Sequence, residues 1–187
     1  IKSLAWRRDH KHIPFIKVKP EYEGITVMCT SPSKTFNLAG LQISNLIIPD
    51  RDIRTAIKRE IGKTGYDEPN IMGMTACQAA YTYGEEWLEE LKDYLVGNLN
   101  FIREYLRDNL PKVKLVEPEG TYLIWLDFSA YGLTDEEINH KMIHEAKLWL
   151  DKGTMFGEEG ECFQRVNIAA PRKIIEETVS RIRKAFA

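Results

Sequence analysis

The 187-residue sequence lacks several features that would place it in a specialised class of protein. No apolar run approaches the roughly 20 residues of a membrane-spanning helix, and no basic stretch followed by an apolar one indicates a secretory signal. The three cysteines, Cys29, Cys77 and Cys162, are odd in number and contain no CxxC pair, so neither a disulfide framework nor a zinc site is favoured. Free thiols in a cytoplasmic protein are the expectation.

An excess of basic charge is also missing. The chain has 26 Lys and Arg against 28 Asp and Glu, which gives a net charge of -2. Nucleic acids and anionic membranes are bound by basic surfaces, so neither is expected as the main partner. A hydrophobic fraction of 43% and a charged fraction of 29% are typical of a globular protein with an ordinary core.

The first part of the chain has the pattern of an α/β domain. Two short runs that are apolar on both faces, at 24–30 and 42–49, predict strands of a buried parallel sheet. The run 49–63 predicts a helix with three isoleucines four residues apart on one face, and 64–75 is predicted to be a loop.

A long helical pattern separates this part from the next. Apolar residues recur at helical spacing from 76 to 110, with Gly84 and Gly97 as candidate breaks. A helix of this length usually bridges two bodies, so a domain boundary is predicted near Leu95, with domains at 1–95 and 96–187.

The second part has the pattern of a small α+β domain. A capping box at Thr134 and Glu137 predicts a helix over 134–148, and Pro171 precedes an amphipathic helix. Its inward residues are predicted to be Ile175, Val179, Ile182 and Phe186. The predicted strands are 112–118, 121–129 and 162–170.

The stretch "TSPSKTFNLAGL" (30–41) places Lys34 among hydroxyl residues between two predicted strands. A lone lysine is normally a surface residue. Here Ser31, Ser33 and Thr35 gather donors of the kind that hold a phosphate. A desolvated lysine beside a phosphate-bearing aldehyde is nucleophilic enough to form a Schiff base. Lysine, phosphate and aldehyde together indicate pyridoxal phosphate (PLP).

Four separated motifs carry a family resemblance. "SPSKTFNLAGL", "KHIPF" (11–15), "EGTYLIWLDF" (119–128) and "GTMFGEEGECFQRVNIAAPR" (153–172) resemble the class I and II aminotransferases of PLP fold type I. The closest resemblance is to bacterial C–S lyases similar to cystathionine β-lyase. It implies the C-terminal part of a large mixed-sheet α/β domain followed by a small α+β domain.

The resemblance also implies roles near the lysine. Lys34 would bind the cofactor covalently and move the proton of the substrate's α-carbon. Ser31 and Ser33 would contact the cofactor phosphate, with Ser31 the better candidate. Gln42 stands where the wider family often has an arginine on the phosphate, and this departure agrees with the lyase branch.

Three residues of the second part are implied substrate-binding residues. Arg165 matches the arginine that binds the α-carboxylate, a task suited to a bidentate guanidinium. Without the resemblance it would be taken for a surface ion pair. Arg172 is a second candidate, equally explained as a charge near a helix N-terminus. Tyr122 is either close to the substrate or part of an aromatic core at a strand entry.

No metal site is expected. His10 and His12 have no further ligand at a suitable spacing. His140 and His144 are four apart on one predicted helix, but an exposed face explains them better than zinc.

Three functions remain open. The first is a PLP-dependent C–S β-lyase that converts a sulfur amino acid to thiol, pyruvate and ammonia. The second is an aminotransferase, and the third is a non-catalytic domain of the same fold. The resemblance further implies a homodimer, an amino-acid substrate, and a C-terminal portion that is inactive alone.

Overall fold

The computed structural model describes residues 12–66 and 68–186. These divide into two units, residues 12–90 and residues 91–186. Each unit is described separately below. His10 and the first residue of the "KHIPF" motif lie outside the described residues.

Unit 1 contains a pair of short strands, β1 (Met28–Thr30) and β2 (Asn45–Ile47). The predicted strands were longer, and residues Pro20–Ile25 form a 3-10 helix instead. The expectation of a buried parallel sheet is wrong for this pair, which is antiparallel with Cys29 opposite Leu46. The connection from 31 to 44 holds only turns and the three-residue 3-10 helix Ala39–Leu41, whereas parallel neighbours need a crossover of a dozen or more residues that is usually an α-helix. Leu46 is 44% exposed.

Two helices follow the strands. Helix α1 (Arg51–Lys63) confirms the predicted helix, and the Asp50 side chain caps it by accepting a hydrogen bond from the Ile53 amide at 2.8 Å. Helix α2 (Ile71–Tyr83) begins inside the segment that was predicted to be a loop. The reason is Asn70, whose Oδ1 accepts from the Gly73 amide at 2.6 Å while its Nδ2 donates to the Leu41 carbonyl at 2.7 Å.

The long helical pattern breaks once. Helix α3 (Glu85–Asn109) has 25 residues, and Gly84 separates it from α2, as predicted. A Cβ on Gly84 would lie 2.5 Å from the Phe36 ring. Gly97 is not a break, since it lies inside α3. A Cβ there would lie 3.3 Å from Nη2 of Arg172, so this glycine accommodates a neighbouring side chain.

Unit 2 contains a four-stranded antiparallel sheet in the order β3-β4-β6-β5. The three predicted strands are confirmed with shorter bounds. The fourth, β5, was missed because two residues are too few to show an alternating pattern. The strands are β3 (Lys114–Val116), β4 (Leu123–Asp127), β5 (Asp151–Lys152) and β6 (Phe163–Asn167).

The helices of unit 2 form one hydrophobic core with the buried residues of the sheet. Helix α4 (Asp135–His140) begins at the predicted capping box, but the helix predicted to reach 148 is interrupted. Residues Lys141–Glu145 form a π-helical turn, and Lys147 has a φ of 55°. Helix α5 (Arg172–Phe186) confirms the last predicted helix, and its four predicted inward residues are buried. They join a core formed with Leu95, Leu99, Ile102, Leu106, Ile124, Leu126, Phe128, Ile138 and Val166.

Within residues 12–66 and 68–186, none of the helices combines the length and the apolar character required to cross a bilayer.

Candidate functional site

Lys34 lies in a single helical turn of unit 1. The Phe36 amide donates to the Pro32 carbonyl at 2.9 Å, which closes the turn around the lysine. Asn37 then ends it with a φ of 54°, a conformation that asparagine tolerates better than most residues. Lys34 is exposed, and no hydrogen bond or ion pair ties it to another of the described residues. The desolvated lysine expected from the sequence is therefore not found within unit 1 itself, although no described residue occupies the amine.

The two predicted phosphate contacts lie together before this lysine. The hydroxyl oxygens of Ser31 and Ser33 are 2.6 Å apart, and the Ser33 amide donates to Ser31 Oγ at 3.1 Å. Ser31 Oγ also donates to the Ile43 carbonyl at 2.7 Å. Each serine has a single hydroxyl proton, so a phosphate would replace one of these bonds. The donor set fits a phosphate, with two hydroxyls two residues apart in sequence beside a free amine.

Tyr81 of α2 is a residue of this region that sequence reasoning missed. The side chains of Thr30 and Asn45, at the ends of β1 and β2, lie beside its hydroxyl and act to lower its pKa. Burial raises its pKa, and the neighbouring Cys77 raises it further. Its ring meets Phe36 edge to face, with centroids 6.3 Å apart. Tyr81 thus links α2 to the turn that carries Lys34; its position on a helix face gave no sequence signal for this link.

An open cavity of about 880 Å³ also lies in unit 1. Lys34, Ser31 and Ser33 are not among its lining residues. The chemistry of the free lysine and the serines is better evidence of a site than this cavity, whose polar lining includes Gln42, Lys58, Tyr66, Glu68 and Asn70.

Arg165 lies at the centre of β6 in unit 2, within a row of side chains that crosses three strands. Trp125 of β4 is its register partner on one side and Asp151 of β5 on the other. Asp151 Oδ2 accepts from Arg165 Nη2 at 2.7 Å and from Nε at 3.2 Å. The ring centre of Phe156 lies 4.3 Å from the guanidinium carbon. The guanidinium is therefore oriented by a carboxylate and an aromatic face.

Tyr122 directly precedes β4. Its carbonyl accepts from the Ile168 amide at 2.9 Å, so its backbone extends the pairing of β4 with the segment after β6. Its side chain is half-buried against the core of unit 2. The preceding Thr121 has a φ of 69°, which turns the chain sharply into the strand.

Arg172 is the first residue of α5, and one face of α3 holds it. Its amide donates to the Tyr94 hydroxyl at 2.7 Å, and its guanidinium carbon lies 4.9 Å from the centre of the Phe101 ring. Asn98 lies on the same face of α3 and donates from Nδ2 to the carbonyls of Ile168 at 2.9 Å and Ala170 at 3.0 Å. The segment from β6 to α5 is thereby attached to α3.

The predicted site residues form two groups, one in each unit. Unit 1 brings together Ser31, Ser33 and Lys34 within one turn. Unit 2 places Arg165, Tyr122 and Arg172 on or beside β4, β6 and α5. The rings of His140 and His144 are 4.5 Å apart, yet among residues 12–66 and 68–186 no cluster of three or more metal-ligating side chains occurs.

Comparison with known proteins gives consistent matches along most of the chain. The model of the family described as aminotransferase class I and II matches residues 3–182. Cystathionine β-lyase PatB of Bacillus subtilis is 42% identical over 178 residues, which are 95% of this chain and 46% of PatB. Protein MalY of Escherichia coli is 32% identical over 185 residues, 98% of this chain and 46% of MalY.

A solved structure shows the same fold. Cystalysin from Treponema denticola, whose crystal structure contains a pyridoxal 5'-phosphate cofactor, matches with a TM-score of 0.89 and 33% identity. The match covers 95% of this chain and 45% of cystalysin. The chain therefore spans about half the length of the proteins it matches.

Proposed function

The chain belongs to the aminotransferase class I and II family, and from this premise we propose that the complete protein is a PLP-dependent C–S β-lyase. Its substrate is a sulfur amino acid, which reacts with water on the enzyme to give a thiol, pyruvate and ammonia. The observation that carries the proposal is the turn in which the free amine of Lys34 follows the paired hydroxyls of Ser31 and Ser33. The name of PatB, a relative at 42% identity, supports the lyase class.

In this proposal the residues of unit 1 hold the cofactor and move a proton. When bound, PLP supplies an electron sink for the electron pair left on the substrate's α-carbon. Lys34 Nζ would hold the cofactor by its aldehyde carbon, and once the substrate's amino group displaces it, the freed amine would accept the proton of the α-carbon. The hydroxyls of Ser31 and Ser33 donate to the phosphate, each giving up a present hydrogen bond. Breaking of the Cβ–S bond then releases the thiol.

The residues of unit 2 bind the substrate. Arg165 presents a planar guanidinium to the α-carboxylate, and two parallel hydrogen bonds fix the plane of that carboxylate. This plane decides which bond of the α-carbon reacts. Tyr122 borders the substrate through the strand entry at β4, and Arg172 adds positive charge near the carboxylate.

An aminotransferase is the second candidate. It uses the same lysine and the same carboxylate-binding arginine, and the family's own name includes this activity. Gln42, exposed where the wider family often carries a phosphate-binding arginine, favours the lyase. Pyruvate release from cystathionine without an added keto acid distinguishes the two, because an aminotransferase needs an acceptor for the amino group.

The decisive experiment is replacement of the lysine in the complete protein. Lys34→Ala is expected to remove the absorbance of lysine-bound PLP and the adduct that borohydride fixes at this position. The matched control is Lys63→Ala, which removes an exposed lysine paired with Glu60 at 2.8 Å in α1. An unchanged absorbance band in Lys34→Ala would refute the assignment. No PLP binding by the wild type would favour a non-catalytic domain.

We further propose domains at 1–95 and 96–187, a homodimer with its sites at the subunit interface, and a cytoplasmic location. Light scattering of the complete protein measures its mass in solution and so tests the homodimer directly. The 187-residue chain alone is expected to be inactive, and turnover of cystathionine by that chain with added PLP would contradict this.

A further inference from the structure

We propose that Asp151 is a positioning residue that orients Arg165 to receive the carboxylate of the substrate. The inference rests on the proposed function, in which Arg165 binds that carboxylate. The role of Asp151 is carried by the geometry of the pair, by its place in the sheet and by the aromatic rings around it.

The sheet fixes the two partners opposite each other. Asp151 and Arg165 are register partners of β5 and β6, and Lys152 pairs with Gln164 beside them. Directly opposite residues of neighbouring strands project to the same face of a sheet. Backbone pairing of β5 with β6, and not a free loop, therefore places the Asp151 carboxylate beside Arg165.

The hydrogen bonds use only one edge of the guanidinium. Arg165 donates from Nε and Nη2 to the single oxygen Oδ2 of Asp151. A guanidinium has five N–H groups, so the second proton of Nη2 and one proton of Nη1 form another edge. That outer edge has the geometry for two parallel bonds to a second carboxylate. Asp151 thus fixes the rotation of the plane while leaving the substrate's edge available.

Aromatic rings restrict the same plane from one face. The Phe156 ring lies 4.3 Å from the guanidinium carbon, and it meets Trp125 edge to face with centroids 5.4 Å apart. Trp125 is in turn the β4 register partner of Arg165. The Arg165 side chain remains 25% exposed. A guanidinium held on one edge and one face is preorganised for a ligand on its outer edge.

A competing role has the opposite consequence. If Asp151 were a stand-in for the substrate carboxylate, it would have to leave before binding, and removing its charge would tighten binding. An orienting residue stays in place, so removing its charge weakens binding. The use of the Nε edge favours orientation, because a stand-in would occupy the outer edge.

The test uses the complete protein and the neutral variant Asp151→Asn, with Arg165→Gln as the reference for a lost carboxylate contact. We expect KM for the amino acid to rise about tenfold, which is below the roughly hundredfold loss that a misplacement of about 1 Å can cause. The equilibrium Kd of an unreactive amino-acid analogue, measured by calorimetry, should rise equally. Binding of the matching amine without a carboxylate should change less than about twofold.

The matched control is Glu117→Gln. Glu117 accepts from Nε and Nη2 of Arg103 at 2.8 and 2.7 Å in an exposed pair of the same unit, so a general effect of losing an Arg–carboxylate pair would appear there too. No change in KM is expected. Asp151→Glu should recover part of the binding, because a carboxylate is retained.

The outcomes distinguish a failure of the role inferred for Asp151 from a failure of the proposed function on which it rests. If Arg165→Gln weakens binding while Asp151→Asn leaves it unchanged or tightens it, the positioning role is wrong and the function stands. If Arg165→Gln has no effect on carboxylate binding, the proposed role of Arg165 fails first. A crystal structure of the wild type with the analogue gives a test without mutation: the Asp151–Arg165 contact persists if the inference holds, and its loss overturns it.

Discussion

Replacement of Asn98 by leucine tests how the segment between β6 and α5 is held. Asn98 is fully buried on α3, and its Nδ2 donates to the carbonyls of Ile168 and Ala170. Leucine has a similar shape but no donor, so both carbonyls lose their partner inside unit 2. An unpaired buried carbonyl costs about 1–3 kcal/mol. Removal of the amide oxygen, which is buried without a partner, offsets part of this cost. The net loss expected is about 3 kcal/mol.

Hydrogen exchange measured by mass spectrometry on the complete protein is the appropriate assay, because it reports local opening without assuming two-state unfolding. A loss near 3 kcal/mol predicts that peptides covering 162–172 exchange about a hundredfold faster. The matched control is Asn100→Leu on the same helix, where the side chain is exposed and accepts a hydrogen bond from Arg103 at 2.6 Å. If exchange of 162–172 changes less than threefold in Asn98→Leu, then the hydrogen bonds of Asn98 do not hold this segment to α3.

Three further predictions concern unit 2 of the complete protein. A Cβ on Gly153 would overlap the carbonyl of Gly160, so Gly153→Ala should lower the melting temperature. Thermal melts measure this against the control Gly62→Ala in α1 of unit 1, where a Cβ has open space and the backbone is helical. The Arg103 guanidinium holds the pKa of Glu117 below its ordinary value. The ion pair therefore stabilises the folded protein at pH values above the pKa that Glu117 has in the unfolded chain, and this stabilisation is lost as pH falls through the lower pKa of the folded state. Because the pair is exposed, comparison of Glu117→Gln with the wild type by urea titration at about pH 6 and about pH 3 should reveal less than about 1 kcal/mol. Burial and nearby carboxylates raise the pKa of the Cys162 thiol, so alkylation followed by mass spectrometry at pH 8 should label it more slowly than a free cysteine in a peptide.

Local signals in the sequence predicted the parts of the fold that depend on neighbouring residues. The capping box at Thr134 and the inward face of α5 are confirmed, since both follow from spacing within one helix. The early start of α2 was missed although Asn70 is a good N-cap residue. The glycines and proline around it gave a loop signal that outweighed a single cap.

Tertiary contacts explain the other errors. Gly97 has the composition of a helix break, but it serves as a place where Arg172 approaches α3, and this role depends on a residue 75 positions later. The helix predicted to reach 148 is interrupted after α4, where Lys141 donates to the Ala185 carbonyl at 3.0 Å. Contacts of this kind leave no periodic trace in the sequence.

The same distinction applies to the candidate site. Lys34 and its serines were found from the sequence because the motif is contiguous and one turn brings its members together. Arg165 was found only through the family resemblance, and Asp151 and Phe156 were not found at all. Their contact with Arg165 depends on the pairing of a two-residue strand with β6, a register that no pattern of hydrophobicity specifies. The residues that orient a binding group are therefore harder to predict than the group itself, because their identity is set by which strand positions lie opposite each other.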